Sequence, residues 1–238
     1  MVATSVIFVL VVLVGAARGL ELYYFNEKGR AEPIRLMLHY AGTNFTDFRF
    51  SRADWNTSKD SMLFHTIPAL VQDSDLLENS EAITRYVAQT AGLLTASYIE
   101  DAQLDSLFEQ SGIVLRNLLE YISIVEGRKP GNATNARYRL VEYPCQLYYP
   151  LIEQHIFNDT GFFGRYGITY FDFVWFNLSD LINSYAFDVL AKYPVSSNHW
   201  WNVMGYNNSN LQNYFQTRGD DFLRNETFTI YNYFNATQ

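Results

Sequence analysis

The sequence predicts an α/β unit followed by an all-α unit, and two observations carry that prediction. Over residues 20–92, short alternating runs and helical stretches follow the order strand, helix, strand, then strand, strand, helix. From Ala91 onward, apolar residues recur at helical spacing with almost no strand signal. The expected boundaries are 1–19, 20–92, a linker at 93–101, and a helical part at 102–238 that ends in a polar tail.

The elements follow in order. Residues 20–25 form an aromatic strand whose alternation sets Leu22 and Tyr24 on one face, with Tyr23 and Phe25 on the other. A turn covers 26–30. The first helix opens with Glu32 and Pro33, where a proline forfeits no hydrogen bond, and its stripe is Ile34, Met37, Leu38 and Ala41. Gly42 stops it. Residues 45–50 read as a second strand, and an irregular polar stretch follows. Pro68 opens a strand at 67–72, residues 73–75 turn into Leu76 and Leu77, and Ser80 caps a helix bearing Ile83, Tyr86 and Val87. In the second part a long helix runs through Leu104, Leu107, Leu115 and Leu119, and an aromatic helix spans 138–157. Residues 164–183 are apolar on all sides, which predicts a central helix. Two short helices are expected near 199–203 and 208–217.

The 238 residues are 48% apolar and 17% aromatic, enough for an ordinary core, which excludes a disordered chain. A net charge of −8 without a Lys/Arg stripe excludes a nucleic-acid partner, and no basic amphipathic helix suits an anionic membrane surface. The apolar run 6–14 is shorter than the roughly 20 residues a membrane span needs. With the small residues at 15–19 it matches a secretory leader over 1–19. Asparagine supports that reading: 19 are present and eight stand in Asn-x-Ser/Thr, where this composition gives about 2.4 by chance. The sequence therefore predicts a secreted, N-glycosylated protein with Asn44, Asn56, Asn132, Asn158, Asn207, Asn225 and Asn235 as acceptors. The eighth, Asn177, follows the run Phe173-Val174-Trp175-Phe176 and reads as buried. The lone Cys145 reads as a buried apolar-type residue, and four His without ligand spacing predict no metal site.

The residues that carry a chemical pattern lie in the first part. They are Leu22-Tyr23-Tyr24-Phe25-Asn26, then Gly29-Arg30-Ala31-Glu32-Pro33-Ile34-Arg35, Trp55 with Lys59, Ile67-Pro68-Ala69-Leu70, and Leu77-Glu78-Asn79-Ser80-Glu81-Ala82-Ile83-Thr84-Arg85-Tyr86. Taken singly, Tyr24 is a packed sheet residue, and Trp55 with Lys59 is a pair on one helix face. In this order and spacing they resemble a sigma-type glutathione transferase, the class that includes haematopoietic-type prostaglandin D synthases. The resemblance implies a thioredoxin-like N-terminal domain followed by a helical glutathione-transferase C-terminal domain. It also implies glutathione as co-substrate, a homodimer, and small hydrophobic electrophiles or lipid-derived substrates, with detoxification or prostaglandin H2 isomerisation as activities.

Roles follow from the same resemblance. Tyr24 would be the thiol activator: a phenol with a pKa near 10 is a poor base, but its hydroxyl can donate to a thiolate and lower a thiol pKa from about 8.5. Arg30 would support that hydroxyl. Trp55 and Lys59 would grip the glycyl carboxylate, and Ile67, ahead of a cis Pro68, would turn its backbone to the cysteinyl part. Asn79 and Ser80 would hold the γ-glutamyl end. Phe25 and residues 112–116 are candidates for the electrophile site. In the second part, Ile168-Thr169-Tyr170-Phe171-Asp172-Phe173 resembles the family's capping box and staple, with Thr169 as N-cap and Asp172 as the acid. Three places depart from the pattern: His65-Thr66 and Asn79-Ser80 stand where relatives have Gly-Gln and Gln-Ser, and Gly112-Ile113 stand where relatives carry acidic residues. These departures keep open a second expectation, a secreted ligand-binding or host-interacting protein of the same fold with little catalysis.

Overall fold

The computed structural model describes residues 19–73 and 75–218. Residues 1–18 of the expected secretory leader (1–19), and the tail with Asn225 and Asn235, lie outside the described residues. The first part holds a four-stranded sheet of β1 (Leu20–Phe25), β2 (Phe45–Phe50), β3 (Ala69–Gln72) and β4 (Asp75–Glu78) in the order β2-β1-β3-β4. β1 runs parallel to β2 and antiparallel to β3, and β3 and β4 form a hairpin. The expected alternation in β1 sorts its faces. Leu22 and Tyr24 join Leu70 in a core with Ile34 and Met37 of α1 (Glu32–Tyr40), while Tyr23 packs on the other face with Met62 and Ala69.

Residues of the polar stretch after β2 form a further helix, α2 (Arg52–Ser58), where the sequence reading expected irregular chain. The Ser51 hydroxyl accepts the Asp54 N–H at 3.1 Å, and the Asp54 carboxylate accepts the Ser51 N–H at 3.3 Å. This reciprocal cap is enough to start a helix with no buried face. Helix α3 (Ser80–Thr90) corrects another expectation: its N-cap is Asn79, not Ser80. Asn79 adopts φ +79, a region that asparagine tolerates better than serine, and its Oδ1 accepts the Glu81 N–H at 3.0 Å.

In the helical part α4 spans Tyr98–Val125, so it begins inside the stretch read as a linker. The expected aromatic helix divides into α5 (Ala133–Arg137), a π turn over Tyr138–Glu142, and α6 (Tyr143–Glu153). Pro144 has no N–H to give the turn before it and crowds that turn's carbonyls, which opens the spacing there. The central helix is α7 (Tyr170–Leu190), six residues later at its start than expected and seven later at its end; it bends at Ala186. Helices α8 (Pro194–Met204) and α9 (Ser209–Thr217) complete the described chain. Cys145 is buried, and burial pushes its thiol up to about 12, so it is not a nucleophile. No described helix is long and apolar enough to cross a membrane.

Helix α7 is buried from Tyr170 through Ile182. At its start, the Asp172 carboxylate accepts the N–H and hydroxyl of Thr169 at 2.7 and 2.8 Å and the Phe163 N–H at 2.9 Å, and it meets His199 Nε2 at 2.8 Å. Further along, Trp175 packs against Tyr149 at 4.3 Å between ring centres and donates its indole N–H to Ser196 at 3.1 Å. The aromatic excess of the composition is thus spent largely on this core.

The two parts meet through buried charge. Lys28, in the turn after β1, bonds Asp180 of α7 at 2.6 Å. Asp180 also accepts the Trp200 indole N–H at 3.1 Å and an Arg218 N–H at 3.4 Å. Arg218 reaches Glu32 of α1 at 3.1 Å, the Tyr214 hydroxyl donates to the same carboxylate at 3.0 Å, and Arg35 links Glu32 to Asp47. Burial alone would raise the Asp180 pKa; the charges of Lys28 and Arg218 outweigh it and hold the carboxyl below its ordinary range.

Removing one member of such a pair leaves an uncompensated buried charge. Lys28→Met is therefore expected to lower the unfolding free energy by about 3–5 kcal/mol in chemical denaturation at neutral pH. Because the Asp180 pKa is depressed in the folded state, its contribution is present above the unfolded value of about 4 and disappears as pH falls below that. The acid limb of the wild-type stability curve should accordingly be steeper than that of Lys28→Met.

Candidate functional site

The site is built on the C-terminal end of β1 and the turn that follows it. Tyr24 ends the buried face of the strand, 4% exposed, with Phe25 tilted against it at 5.4 Å and the Arg35 guanidinium 5.9 Å from its ring centre. The Tyr24 hydroxyl oxygen accepts the backbone N–H of Arg30 at 3.1 Å. Its own hydrogen has no acceptor among the described residues. Burial raises the phenol above its ordinary pKa against the pull of the Arg30 N–H and the nearby Arg30 and Arg35 charges. Tyr24 is thus a protonated donor at neutral pH and not a base.

The turn depends on Gly29. Its φ is +45, and an added Cβ would stand 2.5 Å from the Tyr24 hydroxyl, so both the backbone conformation and the close approach require glycine. Sequence reasoning missed the clamp on this turn: the Asn177 side chain on α7 donates through Nδ2 to the Gly29 carbonyl at 2.9 Å. The signal was present, because polar residues three apart, Asn177 and Asp180, in a largely apolar helix need buried partners.

The remaining expected site residues fall in two places. Arg30 and Ser80 line a cavity of about 10 Å³ between the domains, room for a single water, together with Phe108, Gly112, Leu115 and Asn177. The Arg30 guanidinium forms no ion pair and the Ser80 hydroxyl no hydrogen bond among the described residues. Trp55, on α2, stands edge-on to Phe25 at 6.2 Å and packs near Tyr23, Phe50 and Ile67. Its indole N–H and the exposed Lys59 ammonium, one turn on, also lack partners among the described residues. The Ile67–Pro68 bond is cis, and Pro68 is buried at the entry to β3. Asn79 is exposed, with its Oδ1 committed to capping α3.

Phe25 faces Trp55 and Arg52 and does not line the interdomain cavity, and Arg116 is exposed, so the candidates for an electrophile site are not brought together as a group. Among the described residues no cluster of three or more His, Cys, Asp or Glu side chains could hold a metal ion. The arrangement offers an array of donors with no protein acceptor: a phenol, a guanidinium, a hydroxyl, an indole N–H and an ammonium. Such a set suits an anionic ligand bearing a thiolate and carboxylates.

No protein-family model matches the chain. It is 31% identical over 136 residues to glutathione S-transferase 1 of Ascaris suum, a match covering 57% of this chain and 66% of that protein, just under two thirds of its length. To the hematopoietic prostaglandin D synthase of Gallus gallus it is 29% identical over 174 residues, covering 73% of this chain and 84% of the relative. The crystal structure of the glutathione S-transferase from Ascaris lumbricoides superposes with a TM-score of 0.74 at 26% identity, covering 85% of this chain and 98% of that one. With that fold, and with relatives of this kind along most of its length, the chain is similar to the glutathione S-transferases, enzymes that share its two-part architecture.

Proposed function

We propose that the protein is a secreted, N-glycosylated, sigma-class glutathione transferase. In this reading it joins the sulfur of glutathione to small hydrophobic electrophiles, with prostaglandin H2 isomerisation as a further activity suggested by the synthase relative. The observation that carries the proposal is the Tyr24 hydroxyl, which accepts the Arg30 N–H and keeps its own proton free. Bound glutathione would place its sulfur against that proton. The thiol loses its proton to solvent, Tyr24 stabilises the thiolate, and the sulfur lone pair forms a C–S bond while the electrophile's leaving group departs with its electrons. Lys59 and the Trp55 indole N–H take the glycyl carboxylate, the Ile67 backbone meets the cysteinyl part, and Ser80 with Asn79 meets the γ-glutamyl end. Arg30 adds positive charge next to the developing thiolate.

A homodimer fits the exposed apolar surface. Leu63 and Phe64 stand 71% and 66% exposed ahead of β3, and α6 leaves Tyr143, Leu147 and Leu151 exposed one turn apart. A second reading, a ligand-binding protein of this fold with little catalysis, is favoured by the 4% exposure of Tyr24 and the single-water cavity beside Arg30.

Turnover of a chromogenic electrophile separates the two. For the enzyme, Tyr24→Phe is expected to cut kcat by about a hundredfold at neutral pH with little change in KM for glutathione, because the donor acts on the thiolate. Equal residual rates in wild type and Tyr24→Phe would leave the ligand-binding reading. Secretion has its own test. Chain produced in a eukaryotic secretory host and mapped by peptide mass spectrometry should carry glycans among the exposed acceptors Asn44, Asn56, Asn132, Asn158 and Asn207, and none at Asn177, which is 1% exposed. Retention of the whole chain inside the cells, without glycans, would refute the secreted form.

A further inference from the structure

Helix α7 turns Asn177 and Asp180, one helical turn apart, toward two consecutive residues of the turn after β1. Asp180 takes the Lys28 ammonium. Asn177 takes the Gly29 carbonyl, at 2.9 Å. The peptide unit that carries this carbonyl also carries the Arg30 N–H, which donates to the Tyr24 hydroxyl at 3.1 Å. A trans peptide is planar and its C=O and N–H point in opposite directions, so holding the carbonyl from one side aims the N–H on the other. We propose that Asn177 is a positioning residue for Tyr24, acting through the Gly29–Arg30 peptide. The proposal rests on the reading of Tyr24 as the thiolate's hydrogen-bond donor.

Two features set this apart from simple docking of α7. Asn177 is 1% exposed on a stretch of α7 that is buried from Tyr170 through Ile182, where a leucine of similar size would pack without desolvating an amide. Its Oδ1 is buried and has no partner among the described residues, so the side chain carries an uncompensated desolvation cost. That cost buys one directed bond, at the peptide that orients the Tyr24 hydroxyl. The bond also polarises the peptide, which strengthens the Arg30 N–H as a donor. A stronger donor to the Tyr24 oxygen makes the phenol's own O–H a better donor to sulfur.

The test uses full-length mature protein from a bacterial host, where no residue carries a glycan and the variants change only the hydrogen bond. Asn177→Leu removes the donor at similar volume, and Asn177→Asp removes it with nearly the same shape should the leucine variant fail to fold. The readouts are the pKa of bound glutathione's thiol, from thiolate ultraviolet absorbance across pH, the pH profile of kcat/KM for a chromogenic electrophile, and the Kd for glutathione. The expected result is a thiol pKa raised by about one unit, hence about tenfold lower kcat/KM below that pKa, with the Kd held within about twofold. In a Tyr24→Phe background, Asn177→Leu should cost less than about twofold more, because both act on one hydrogen bond. An unmoved thiol pKa in a folded Asn177 variant, or a full additional loss in the Tyr24→Phe background, overturns the proposal and leaves Asn177 as packing. A thiol pKa that Tyr24→Phe itself leaves unmoved overturns the reading of Tyr24 instead, and this role of Asn177 with it.

Discussion

The hold of α7 on the turn between β1 and α1 is the contact on which both domains and the site depend. Lys28, Glu32 and Arg35 come from one side, and Asp180, Tyr214 and Arg218 from the other. Each ion is nearly stripped of water, so each is tolerable only while its partners are in place. The domains can therefore dock in few relative positions. An apolar seam of the same area would tolerate sliding, whereas a 2.6 Å bond between Lys28 and Asp180 does not. The turn so fixed also carries Gly29 and Arg30, so the geometry around the Tyr24 hydroxyl is set by the docking of the helical domain as well as by the sheet that holds the ring.

This arrangement explains why α7 is anchored so firmly at its start. The Asp172 carboxylate gathers the N–H groups of Thr169 and Phe163, the Thr169 hydroxyl and His199, which pins the helix to the loop before it and to α8. Trp175, one turn on, is locked between Tyr149 and Ser196. Asn177 and Asp180 project from the same helix one and two turns past that anchor. A helix fixed over its first two turns presents them at constant height to residues 28 and 29. The folding signal near residue 169 and the hydrogen bonding around Tyr24 are thus linked through one rigid element.

Local signals in the sequence account for the elements that were legible. Alternation found β1, and the Pro33 start and Gly42 stop framed α1; the apolar run alone placed the central helix six residues early, and only the capping box of the resemblance, Thr169 with Asp172, stands at the true entry to α7. Helix α2 was overlooked because it buries no residue and so shows no apolar period; only Ser51 and Asp54 announce it. Asn79 was passed over as a cap because its φ of +79 is invisible in a string of letters. The interdomain contacts were the least legible, and for a physical reason. Lys28 and Asp180 are 152 residues apart, Asn177 and Gly29 148, and nothing local distinguishes these polar residues from solvated ones. Only the largely apolar run around Asn177 and Asp180 said that they must find partners inside.

The same reasoning divides the Asn-x-Ser/Thr triplets by what each asparagine already does. Asn177 has its amide nitrogen on the Gly29 carbonyl and is 1% exposed, so a sugar on that nitrogen would have no room without forcing the domains apart. Asn132 uses its Oδ1 to cap α5, yet stays exposed and keeps its nitrogen free. Asn44, Asn158 and Asn207 are exposed in the connections between elements, where a glycan meets only solvent. Asn56 differs in kind. It lies exposed on α2, between Trp55 and Lys59, on a helix that buries no residue of its own. A glycan there would stand beside the Trp55 and Lys59 edge of the candidate site without disturbing the fold. Where the turn beside Tyr24 is held this tightly from α7, that thinly anchored helix is the part of the candidate site most open to change from outside.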